Sequence, residues 1–113
     1  MPNVIVVPET EEYQLPVSHE DRIWITKNLG VPQLEQNKAT YVAPFWITGT
    51  AGVVRVYHIT RANDRPEDTE LVLGNSFVLP EPWNGLGQHR RFEYHSLQSL
   101  GFVEGWPGML VRL

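Results

Sequence analysis

Trp83 stands in the segment Pro80-Glu81-Pro82-Trp83-Asn84-Gly85-Leu86-Gly87, where two prolines and two glycines frame a ring that a plain solvent loop does not need. An indole face stacks on a nucleobase for about 1–3 kcal/mol, and an Asn amide offers both a donor and an acceptor to a base edge. Trp83 and Asn84 are therefore a candidate recognition pair for a planar or methylated ligand. Trp46, close to the turn Thr48-Gly49-Thr50-Ala51-Gly52, and Trp24 are further candidate pocket walls, while Tyr57 and His58 lie on the strand after that turn. Arg90 and Arg91 follow Gly85-Leu86-Gly87, where they can donate charge-assisted hydrogen bonds to phosphate. Each has an ordinary alternative: the tryptophans can fill a small core, Asn84 before Gly85 can be a turn residue, and the arginines can be solvated.

Other chemistries find less support. The four histidines, His19, His58, His89 and His95, show no i, i+4 pair and no shared carboxylate pattern, so no metal is expected. His58 and His95 can meet if their strands are neighbours, but two ligands fall short of a catalytic site. Ser76, Ser96 and Ser99 sit in no nucleophile elbow, Glu11-Glu12 lies in an acidic run, and Gly85-x-Gly87 lacks a phosphate-loop setting. No cofactor is implied, no motif names a reaction, and a histidine general base is the remaining route to an enzyme.

The elements that must position these residues are mostly strands. Tyr41 to Ile47, Val53 to Ile59 and Glu70 to Leu79 are rich in aromatic and β-branched residues, and the glycine turn makes the first two a hairpin. Pro44 places its strand at an edge or a bulge, and Gly74-Asn75 marks a second bulge. Val4 to Val7, stopped by Pro8, is a first strand or an arm for a neighbour; Arg22 to Thr26 is a second strand. Pro32 to Asn37 suits one helical turn, Arg61 to Asp68 a surface loop, and Arg90 to His95 a strand. Ser96 caps a short turn through Leu100 that Gly101 stops, and Met109 to Leu113 closes the sheet. The expectation is a mainly β chain forming a small twisted or closed β-barrel with one or two short helices.

A length of 113 residues fits one domain, residues 1–113, with residues 1–21 as its N-terminal strand and acidic loop. Hydrophobic residues at 42% and charged residues at 19% exclude a disordered chain or a coiled coil. The lack of cysteine rules out disulfides and thiolate chemistry, and fits a cytoplasmic protein. No apolar run approaches the roughly 18 residues of a membrane span, and no secretory leader is recognisable, so no membrane partner is expected. The net charge of −4 is uneven: Glu9, Glu11, Glu12, Glu20 and Asp21 face no basic residue up to position 21, and the remainder carries a slight positive excess. Such a chain is not a generic DNA binder, but recognition of one flipped or single-stranded base needs few charges. A protein partner or second copy joined through Val4–Val7, with the acidic segment facing a basic partner or mimicking a nucleic-acid backbone, is the alternative reading.

Lys38 followed by Tyr41-Val42-Ala43-x-Phe45, the glycine turn, Val53-Val54-x-Val56-Tyr57-x-Ile59, then Leu79-Pro80 and Tyr94-x-Ser96-Leu97-x-x-Leu100, resembles the small β-barrel domains of the PUA-like superfamily, including the EVE, ASCH and YTH-type modules. The resemblance covers Lys38 to Leu100 and rests on hydrophobic pattern; the Gly-x-Lys-x-x-Glu-x-Arg signature of ASCH modules is absent, and residues 1–27 match no EVE-type opening. It implies a reader of nucleic acid or of a modified base, acting in RNA metabolism or restriction of foreign DNA, with the base held in an aromatic pocket.

Overall fold

The computed structural model describes residues 3–9, 23–26, 30–46, 52–84 and 93–113. Among them the chain is mainly β, as its alternating aromatic and β-branched runs predict. Strands β1 (Val4–Glu9), β2 (Ile23–Thr26), β3 (Tyr41–Trp46), β4 (Gly52–Asp64), β5 (Thr69–Trp83) and β6 (Glu93–His95) form a six-stranded sheet in the order β2-β5-β4-β3-β1-β6. Strands β7 (Phe102–Trp106) and β8 (Met109–Arg112) form a separate hairpin. Among the described residues β1 and β3 pair in parallel, and the other ladders are antiparallel.

Both faces of the sheet are covered, which is why β1 reads as an unbroken apolar run. Val4, Val6, Tyr41, Ala43, Val56 and Leu79 pack with Leu97, Leu100, Phe102 and Leu110 on one face. Ile5, Val7, Val42, Tyr57, Leu71 and Leu73 pack with Trp24 and Leu34 on the other, where helix α1 (Val31–Gln36) lies. Trp24 is only 1% exposed, so it belongs to the core and to no pocket. Val4–Val7 is likewise buried and pairs with β3 on one side and β6 on the other, so it is not a free arm for strand addition.

Several expectations hold in detail. The register of β4 against β5 shifts between the Tyr57–Ser76 and Ile59–Leu73 pairs, which places a bulge at Gly74-Asn75. The β3–β4 ladder shifts between Val42 and Phe45, around Pro44. Ser96 caps a 3-10 helix, Leu97–Leu100, by accepting the Ser99 N–H at 3.2 Å, and Gly101 ends it at φ 94°.

Other expectations change. Arg61–Asp64 continues β4 instead of forming a loop, and the reversal is confined to residues 65–68, where the Arg65 N–H reaches the Asp68 carbonyl at 2.8 Å. Pro8 does not stop β1, which continues to Glu9 in parallel register with β3, Pro8 opposite Phe45; among the described residues β6 pairs with β1 only as far as Val6. Met109–Arg112 does not close the main sheet; it pairs with β7 through the turn Pro107-Gly108.

Candidate functional site

The irregular segment around Trp83 is in fact the end of a long strand. Pro80 and Pro82 sit in β5 beyond Val72, the last of the β5 residues that pair with β2 among the described residues, where no described ladder on that side calls for the N–H that proline lacks. Trp83 pairs with Val53, and Trp46 pairs with Gly52, so the ends of β3 and β5 flank the start of β4. Gly52 is required there: its φ is 102°, and a Cβ would stand 2.5 Å from Asn84 Oδ1 and 2.8 Å from the Trp83 carbonyl oxygen.

The Trp83 ring is half-buried and pinned by two aromatic edges. The Phe45 ring meets it at 6.4 Å and 87°, and the His95 imidazole at 4.7 Å and 68°. His95 is itself held by Glu93 at 3.1 Å. Beyond the indole runs a groove of about 350 Å³ between Pro80–Trp83 and residues 98–101, whose polar groups include Glu81, Gln98 and Ser99. That volume is at the small end for ligand sites, enough for one planar group. Glu81 is the one charged residue of the lining, which favours an amino-bearing or electron-poor ligand and disfavours phosphate inside the groove.

The expected site residues do not all converge. Trp46, Trp83 and Asn84 share one end of the sheet. Tyr57 and His58 lie four and five residues along β4 from Val53, roughly 13–16 Å away. Tyr57 is buried among the α1-side core residues, and burial, opposed by nearby Arg55, raises its pKa. His58 packs against the Tyr41 ring at 5.1 Å. His58, Tyr41, Val4 and His95 occupy one row across β4, β3, β1 and β6, so His58 and His95 are on strands that are not neighbours. Among the described residues no group of three metal-binding side chains gathers. Arg90, Arg91, His19, His89, Gly85–Gly87 and the acidic run 10–21 lie outside the described residues, as does the Trp46 side chain.

Two features escaped sequence reading. A second groove, of about 230 Å³, lies between α1 and β4 and is lined by Leu34, Ile59 and Ala62 with Lys38 and Arg61, neither of which has an ion pair among the described residues. Lys38 holds φ 53° at the end of α1, a left-handed position that glycine usually takes. The other is the Tyr41 hydroxyl, which donates to Glu104 on β7 and accepts the Gly108 N–H at 3.0 Å. Burial and the Glu104 contact push its pKa far up, against the pull of the Gly108 bond. The hairpin signal Trp106-Pro107-Gly108-Met109 was legible, since Pro and Gly suit the central positions of a type II turn and Gly108 has φ 80°.

Comparison with protein-family models, curated proteins and solved structures finds no match to this chain. No described helix is long and apolar enough to cross a membrane.

Proposed function

We propose that this chain is a PUA-like nucleic-acid-binding module of the cytoplasm that takes one extruded or single-stranded base into the Trp83 groove, in RNA metabolism or restriction of foreign DNA. The observation that carries the reading is the pinned Trp83 ring on an open groove with amide, hydroxyl and carboxylate groups beside it. A ring already held by Phe45 and His95 loses little freedom when a ligand stacks on it, so more of the stacking energy appears as affinity. Gln98 offers a donor and an acceptor to a base edge, and Glu81 accepts from an exocyclic amino group or pairs with a cationic methylated base. Phosphates stay outside the groove, at Arg90 and Arg91 in this reading.

Titration with plain and N-methylated nucleosides, followed by amide and indole NMR shifts, tests the proposal. The expected result is saturable movement of the Trp83 indole signal together with Gln98, Ser99 and Gly101. Shifts elsewhere, or none at millimolar nucleoside, would overturn it.

A further inference from the structure

The groove between α1 and β4 opens where two chain segments part. The β3–β4 ladder extends to the Tyr41–His58 pair, and one residue further the Ile59 N–H still donates to the Thr40 carbonyl at 2.8 Å. Beyond that link the segment joining α1 to β3 turns aside at Lys38, at φ 53°, while β4 runs on to Asp64. Among the described residues no strand pairs with β4 on that side past His58. The wedge left between the two segments holds about 230 Å³.

Its floor is apolar and its rim is cationic. Leu34 and Ala39 are buried, and Ile59 and Ala62 pack partly buried against the same core. Lys38 and Arg61 line the groove as exposed residues. The other described cations are engaged: Arg55 donates to Ser76, Arg65 pairs with Asp68, and Arg112 reaches the Val78 carbonyl. The two left without a side-chain partner among the described residues therefore meet at one groove. Glu35 also lines it, which leaves an excess of one positive charge. Lys38 keeps a long charged side chain in a backbone conformation that glycine adopts more readily, and backbone strain of this kind gathers at ligand clamps.

We infer that this groove binds a short aliphatic monocarboxylate, its tail on Leu34, Ile59 and Ala62 and its carboxylate between Lys38 and Arg61. Paired cations call for an anion, and a guanidinium receives a carboxylate through two parallel hydrogen bonds. The apolar floor adds nothing for a bare inorganic anion, so the ligand must carry a tail. At roughly 30 Å³ per liquid-packed heavy atom the volume holds about eight non-hydrogen atoms, the size of hexanoate. Drug-sized ligands fill roughly 300–1,000 Å³, so a larger guest does not fit. The inference does not rest on the base-binding groove, which lies on the other face of the sheet.

Amide NMR titration of the full chain with hexanoate at about 0.05 M salt tests it, with 1-hexanol as the uncharged probe and acetate as the tail-less one. Saturable shifts at Leu34 and at residues 38–40 and 59–62 are expected, with a Kd below ~5 mM. Hexanol and acetate should each bind at least ~5-fold more weakly, and about 0.5 M salt should weaken hexanoate but not hexanol. Lys38→Gln/Arg61→Gln, at two exposed positions, is expected to weaken hexanoate at least ~5-fold and to leave hexanol unchanged. Lys38→Gly suits the backbone there, is expected to weaken hexanoate at least ~2-fold, and serves if the double variant does not fold. Shifts elsewhere, no saturation by ~20 mM, hexanol or acetate binding as tightly as hexanoate, or hexanoate affinity unchanged in the folded charge variants would overturn the inference.

Discussion

Tyr41→Phe removes a single oxygen from the joint between the sheet and the β7–β8 hairpin, and its cost can be worked from the partners left behind. Gly108 is buried, and its N–H loses its acceptor, a penalty of about 1–3 kcal/mol for an unsatisfied buried donor. Glu104 is exposed and recovers water, so its share is small. A loss of about 2 kcal/mol at pH 7 is expected, or a fall in Tm of roughly 8 °C for a chain of this size. The pH dependence gives a sharper check. The Tyr41 pKa is raised in the folded state, so the proton is retained there after the unfolded chain has lost it, and wild-type stability falls as pH rises above about 10 by up to ~1.4 kcal/mol per unit from this group. Tyr41→Phe lacks that slope, so its deficit shrinks with alkalinity, while Tyr57 and Tyr94, also raised by burial, add the same slope to both proteins. Urea unfolding at pH 7 and pH 11 reads both numbers. A deficit under ~0.5 kcal/mol at pH 7, or one that is equal at the two pH values, would refute the reasoning.

The glycines at two turns separate backbone strain from crowding. Gly101→Ala meets nothing within 4 Å and carries only the cost of its positive φ, about 1–2 kcal/mol, whereas Gly108→Ala also drives a Cβ to 2.8 Å from His58 Nδ1. Thermal unfolding should therefore show Gly108→Ala as the more destabilised by at least ~1 kcal/mol. Ser96→Ala removes the cap of the 3-10 helix that walls the Trp83 groove and should cost about 1 kcal/mol in urea unfolding, with faster amide exchange at Ser99 as its local signature.

Much of this architecture was legible in the chain because its signals are local. The alternation of Tyr41, Ala43 and Phe45 against Val42 sorts β3 onto two faces, and Ser96, Gly101 and Gly74-Asn75 announce their cap, stop and bulge. What was missed depends on partners distant in sequence. Pro80 and Pro82 read as the end of a strand because nothing local reveals that β5 continues through them beside β4 to Trp83. Val4–Val7 reads equally as an arm or a core strand until β3 and β6 are seen on its two sides. The Tyr41–Glu104 contact spans 63 residues, and no periodicity within either strand encodes it. The same holds for the candidate site: Trp83 and Asn84 stand out as candidates from their local composition, but the rings that meet Trp83, Phe45 and His95, come from two other strands.

The most direct test of base recognition is tryptophan fluorescence of the wild type and Trp83→Ala, titrated with short plain and base-methylated oligonucleotides at about 0.15 M salt, where non-specific charge attraction is reduced. Saturable quenching in the wild type, lost in a folded Trp83→Ala variant, is the expected result. Equal quenching in both proteins, or no response to any oligonucleotide, would contradict the claim that Trp83 holds a base.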